Sequence, residues 1–165
     1  MTAAAGRPAD GHSISVDDVA DAVLTASRLL VSLSAKSIAQ VDDSITIAQF
    51  RVLVLLSNSG PMNLSSLAHR LAVQPSTASR MIDRLSHAGL VERTPSEQTR
   101  RELIVTLTSH GAATVREVTD RRRAEIEQVI SRLTAEQRHE LVRALTAFSE
   151  VGGEPAVSRA QDLWA

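Results

Sequence analysis

Ser76, Thr77 and Ser79 offer three small hydroxyls in one short stretch, and Arg80 and Arg84 follow them with guanidinium forks. Hydroxyls exchange hydrogen bonds with polar edges at short reach, and a guanidinium pairs bidentately with phosphate or guanine. Wound as a helix from Pro75 to Ala88, the segment turns Ala78, Met81, Ile82 and Leu85 to one side and leaves the polar set on the other. A rod fixed on its apolar side, with donors and cations on the opposite side, meets the needs of major-groove readout. The unpaired N–H groups of its first turn also favour an anionic phosphate. A plainer alternative has the hydroxyls capping the helix and the arginines pairing with Asp83. Arg100 and Arg101 form a second candidate group, at the tip of a hairpin narrow enough to enter a minor groove. Its alternative is an ordinary solvated turn.

The elements needed to hold these groups are signposted locally. Ser15 and Asp18 have capping-box spacing and open a helix over about 16–39, with Val16, Val19, Val23, Leu30 and Leu33 at helical intervals. Thr46 and Gln49 form a second capping box, with Ile45 and Phe50 as its hydrophobic staple. This decides for helix over strand in the Val52–Leu56 run. Asn63 caps a short helix, Leu64–Leu71. Pro75 stands at the first helical position of the next, and Gly89 follows its end. Two short helices joined by a tight connection make a helix-turn-helix. Leu90–Thr94 and Glu102–Leu107 alternate as strands around a turn at Pro95–Gln98. Thr108 or Ser109 caps a long helix over about 109–132, and Thr134 with Gln137 opens a last one that breaks at Gly152-Gly153.

The chain has 165 residues, 43% hydrophobic and 22% charged, and its net charge is −1. That is enough for one compact domain, or a small module with helical extensions. Charge is unevenly spread: residues 65–101 hold six arginines against Asp83, Glu92 and Glu97, a modest electrostatic footprint. The absence of cysteine excludes disulfides, thiolate metal ligands, a cysteine nucleophile and a thiol redox switch. His12, His69, His87, His110 and His139 are scattered, without a nucleophile motif or a glycine-rich phosphate cradle. No enzyme activity and no cofactor are therefore expected. His69 and His87 leave a metal-sensing regulator as an alternative, and a winged helix used for protein contact is another. Neither a signal peptide nor an apolar run of membrane-spanning length is read here, so the expected compartment is the cytoplasm and no membrane partner is expected.

The run Ile45-Thr46-x-x-Gln49, Val52-Leu53 and Asn63-Leu64-x-x-Leu67-Ala68 resembles the entry to the DNA-binding lobe of MarR-family winged helix-turn-helix regulators. Ser76–Leu85 followed by Gly89-Leu90-Val91-Glu92-Arg93 is similar to that family's recognition-helix signature. Val105-Thr106-Leu107-Thr108-x-x-Gly111 is similar to the exit from its wing. The resemblance covers about 16–150 and is tightest over 45–111. It implies a mainly α fold with a small β-hairpin wing, in which the N- and C-terminal helices form a dimerisation domain. The implied layout is a tail (1–14), dimerisation helices (15–44 and 109–150), a DNA-binding domain (45–108) and a C-terminal tail (151–165).

The implied function is a transcriptional repressor that binds a palindromic operator on double-stranded DNA as a homodimer and is released by a small-molecule effector. Arg80 and Arg84 would hold the DNA backbone, Ser76, Thr77 and Ser79 would approach bases, and Arg101 would be the wing arginine beside Arg100. One departure is Thr99, where the family usually has an acidic residue before the wing arginine; Glu97 or Glu102 are the available substitutes. The chain has three aromatic residues, Phe50, Phe148 and Trp164, so a stacking pocket would be sparse, and the alternatives are an aliphatic effector pocket or no effector at all. Arg121-Arg122-Arg123 reads as a solvated helix face paired with nearby carboxylates.

Overall fold

A computed structural model of the chain describes residues 14–96 and 102–153. Its elements are α1 (Val16–Ala39), α2 (Ile47–Ser59), β1 (Met62–Asn63), α3 (Leu64–Leu71), α4 (Pro75–His87), β2 (Val91–Pro95), β3 (Leu103–Leu107), α5 (Ser109–Ile130) and α6 (Ala135–Val151). The fold is mainly helical with a small antiparallel sheet. It divides into two compact units, residues 1–119 and 120–165.

In the first unit, the helix starts follow the capping chemistry of the sequence. Ser15 and Asp18 form a reciprocal box at α1, and Thr46 and Gln49 form another at α2. The staple residues Ile45 and Phe50 are both buried, which fixes the entry angle of α2. From there α2 drives Val52, Leu53 and Leu56 into the core. Asn63 accepts from the Ser66 N–H at 2.7 Å and starts α3. Leu67 and Leu71 of α3, Ile82 and Leu85 of α4, and Leu90, Val91 and Val105 around the sheet complete that core.

The hairpin has a partner that the sequence reading did not anticipate. The sheet order is β1-β3-β2, with Met62 opposite Val105 on one side of β3 and Arg93 opposite Val105 on the other. A strand of two residues beside Pro61 carries no alternation to detect. Pairing it to β3 fastens the hairpin to the segment that enters α3.

Another expectation needs correcting. α1 is long and apolar enough to cross a bilayer by length and composition, with a mean hydropathy of 1.3 in its best window, and only 11% of that window is buried. Thr25, Ser27, Ser32 and Ser34 interrupt the apolar run, so a search for unbroken stretches passes over it. Towards its C-terminal end, Ser34, Ser37 and Ile38 are buried. The Ser34 and Ser37 hydroxyls are satisfied within the helix, donating to the carbonyls of Leu30 and Leu33 at 2.6 and 2.7 Å. Val16, Val19, Leu24, Leu29, Leu30 and Val31 are exposed.

In the second unit, α5 continues to Ile130 and Thr134 with Gln137 forms the third capping box, opening α6. α6 buries none of its residues; Val142, Leu145 and Phe148 face outward. In the arginine run, Arg123 pairs with Glu127 at 2.9 Å as expected of a solvated face. Arg122 differs, being half-buried, with its Nε enclosed and without a hydrogen-bond partner.

Candidate nucleic-acid interface

α4 is the candidate reading element, and both of its ends are set by local chemistry. Pro75 occupies the first turn, and the preceding Gln74 makes no side-chain cap hydrogen bond. Pro75 has no N–H and the Thr77 N–H donates to Gln74 O at 2.9 Å, so the expected set of unpaired first-turn donors shrinks to the Ser76 N–H at most. At the other end Gly89 has φ +70°, the left-handed geometry that glycine adopts without steric cost. Gly89 N–H donates to Ser86 O at 3.0 Å and Leu90 N–H to Leu85 O at 2.9 Å. This is the two-bond Schellman closure, with Leu85 and Leu90 packed in the core beneath it. The connection before α4 turns through Ala72, at φ 54° and ψ 42°, a left-handed conformation on a residue with a Cβ.

The helix faces divide as the periodicity requires. Ala78, Ile82 and Leu85 are buried. Ser76, Arg80 and Arg84 are exposed, while Thr77 and Ser79 are half-buried. Arg80 lies along the helix, its Nε donating to Ser76 O at 3.3 Å. α4 therefore brings together Ser76, Thr77, Ser79, Arg80 and Arg84 on one face. Arg100, Arg101, Glu97 and Thr99 lie outside the described residues.

Asp83 sits on this same face, and its partner is neither Arg80 nor Arg84. Its carboxylate pairs with Arg93 of β2, whose guanidinium also donates to Ser79 O at 3.4 Å. In the sequence Arg93 stands out as a local positive charge and as the end of the Gly89–Arg93 signature, neither of which assigns it a partner. Glu102, the other carboxylate near the hairpin turn, accepts from Asn63 Nδ2 at 2.6 Å, and Ser96 N–H donates to Glu102 O at 2.8 Å to close the hairpin.

The hairpin is anchored again where it leaves β3. Thr108 donates its N–H to Leu90 O at 3.1 Å and its hydroxyl to Gly89 O at 2.7 Å. That hydroxyl also accepts from Gly111 N–H at 3.0 Å and caps α5. Gly111 is required by crowding: a Cβ there would lie 2.1 Å from Leu90 O. The end of α4, the exit of the hairpin and the start of α5 thus meet at one backbone junction.

A cavity of about 420 Å³ opens between the start of α2 and the end of α4, bordered by Ser44, Gln49, Asp83, Arg84 and His87 over an apolar floor that includes Ile45. His69 and His87 are both exposed, and His87 Nδ1 lies 2.7 Å from Asp83 O. Among the described residues no group of three or more His, Asp or Glu side chains is placed to hold a metal ion.

Comparison with known proteins bears directly on this arrangement. The model of the MarR family matches residues 45–103. The HTH-type transcriptional repressor Rv2887 of Mycobacterium tuberculosis is 34% identical over 101 residues, 61% of this chain and 73% of the relative. The chain belongs to the MarR family. Its backbone is also similar to the crystal structure of RV1404 from Mycobacterium tuberculosis, with 56% identity, a TM-score of 0.81, and coverage of 88% of this chain and 99% of that one. A further MarR-family neighbour is a mutant MarR from E. coli complexed with operator DNA, at 26% identity and a TM-score of 0.62, covering 79% of this chain and 92% of that chain. The chain spans 66% and 60% of the length of the first two curated relatives it matches, both from Bacillus subtilis.

Proposed function

We propose that this MarR-family chain is a sequence-specific regulator of transcription that binds double-stranded DNA as a homodimer and represses from a palindromic operator. The observation that carries the reading is the face of α4: Ser76, Arg80 and Arg84 exposed, Thr77 and Ser79 half-buried beside them, over a bed of Ala78, Ile82 and Leu85. In this reading Arg80 and Arg84 hold phosphates, the hydroxyls of Ser76, Thr77 and Ser79 approach base edges, and Arg100 and Arg101 enter the adjacent minor groove. Repression agrees with the printed name of the relative Rv2887, and operator binding with that of the E. coli complex. The 45–108 segment acts as the reading head, flanked by dimerisation helices.

Dimerisation is supported by the apolar residues that α1 and, separately, α6 leave uncovered. A second copy would bury them and set two reading heads at a fixed spacing. Release by a small effector belongs to the same reading. The cavity at the end of α4 abuts Arg84 and has no Phe, Tyr or Trp in its wall, which suits an aliphatic ligand.

The test is footprinting of the purified protein on genomic fragments, followed by a salt titration on the protected site. Protection of an inverted repeat with half-sites about one helical turn apart is expected, with affinity falling steeply as salt rises. Arg80→Ala, Arg84→Ala and Arg101→Ala should each weaken binding to all sequences and flatten the salt slope by about one unit. Thr77→Ala and Ser79→Ala should instead change which bases are preferred. Salt-insensitive binding, or none to any duplex, overturns the proposal.

A further inference from the structure

Arg93 is a cation on a strand next to the reading face, yet its side chain is 28% exposed and turned inward to α4. One guanidinium nitrogen reaches two groups four residues apart, the Ser79 carbonyl and the Asp83 carboxylate, and so grips a full turn of the helix. Arg93 is also held in the ladder opposite Val105 of β3. The position of β2 is therefore tied to α4 through a charged contact as well as through the apolar core. Asp83 has its own difficulty. It is half exposed and lies on the same face as Ser79, Arg80 and Arg84, where a bare carboxylate would repel a phosphate backbone.

We infer that Arg93 is a positioning residue rather than a DNA contact: its ion pair with Asp83 clamps the hairpin strand to the reading helix and neutralises the one carboxylate on the reading face. This rests on the reading of α4 as the DNA-facing element. The clamp itself, however, has a readout that needs no DNA. Two consequences follow from the geometry. Without Arg93, β2 gains angular freedom relative to α4, and Asp83 stands unpaired towards the phosphates. Without Asp83 as well, only the first penalty remains.

The 165-residue chain has no cysteine, so Ala88→Cys and Thr94→Cys, both at exposed positions, accept a pair of spin labels without background. Distance distributions between them are measured with and without Arg93→Met, alongside operator affinity for Arg93→Met, Asp83→Asn and the double variant at several salt concentrations. Arg93→Met is expected to broaden the distribution in the absence of DNA and to weaken binding about tenfold, the equivalent of about 1.4 kcal/mol. Adding Asp83→Asn should return a large part of that loss, the non-additivity expected of a contacting pair. Arg93→Lys should retain a narrow distribution. An unchanged distribution in Arg93→Met overturns the clamp. A loss of affinity that ignores Asp83 and flattens the salt slope by about one unit makes Arg93 a phosphate contact and overturns the inference equally. If the wild type binds no duplex while the distribution still broadens, the clamp stands and the DNA reading of α4 fails.

Discussion

α4 and α6 are both amphipathic helices with well-marked starts, and they end in opposite situations. α4, 13 residues long, sets Ala78, Ile82 and Leu85 against the core and exposes hydroxyls and guanidinium groups. α6, 17 residues long, buries nothing, and its apolar residues Val142, Leu145 and Phe148 are 66, 51 and 59% exposed. The local physics is similar in each: periodic apolar residues behind a marked first turn, set by Pro75 in α4 and by the Thr134 capping box in α6. What differs is where the cover comes from. For α4 the chain supplies it, through α3, α2 and the sheet. For α6 a further surface is required, and a second copy is the one proposed. An exposed face of donors and cations is thus a finished surface. An exposed face of Val, Leu and Phe is an unfinished one.

The sharpest way to break this contrast acts on the junction that fixes the α4 side. Gly111→Ala would place a Cβ against the Leu90 carbonyl. In most helices Gly→Ala stabilises, by about 1 kcal/mol. Here the expectation is a loss of about 3 kcal/mol or more, because the clash is with backbone that cannot swing aside. Urea unfolding should show the lowered midpoint; a gain in stability would mean that the three-way junction is loose.

The α6 side should respond in association rather than in folding of the chain. Leu145→Asp combined with Phe148→Asp should halve the mass measured by sedimentation and remove the dependence of melting temperature on protein concentration. A dimer that persists would mean that this face is covered in some other way.

Smaller effects test whether the caps matter equally in both regions. Thr46→Ala and Thr134→Ala remove comparable boxes from α2 and α6. Each is expected to cost about 1 kcal/mol, read by thermal melting. With α2 in the core, its loss should lower cooperative unfolding, while the α6 variant should mainly weaken the dimer.

The smallest effect is one of pH. The Asp18 carboxyl is held below its usual range, first by the Ser15 hydroxyl at 2.6 Å and then by the Ser15 N–H at 2.9 Å. A carboxylate with a depressed folded-state pKa stabilises above its unfolded value of 3.8, and that contribution is lost as pH falls through the lower folded value. The start of α1 should therefore fray below about pH 4, seen as faster amide exchange at Val19, while α4 is unaffected.

Much of this molecule could be read one turn of chain at a time. Ser15, Thr46, Asn63, Thr134 and Gly89 each announce a helix end because a cap is a contact between residues a few positions apart. The halves of α4 follow from period alone, and with them the polar set from Ser76 to Arg84. The spacing of Thr108 and Gly111 also carried a family resemblance before the Leu90 carbonyl gave it a reason. Local order also hid things: β1 is too short for alternation, and α1 is apolar on average without an unbroken run.

Contacts far apart in sequence were decided only by folding. Nothing in the spacing of Asp83 and Arg93 says that a strand after a left-handed glycine returns along the helix to pair them. Asn63 meets Glu102, and Leu90 crowds Gly111, only because β1, β3 and α5 converge on the same core. A cap needs one turn of backbone, whereas an ion pair between a helix and a strand needs the angle between them. That angle is set by side-chain packing summed over the whole lobe.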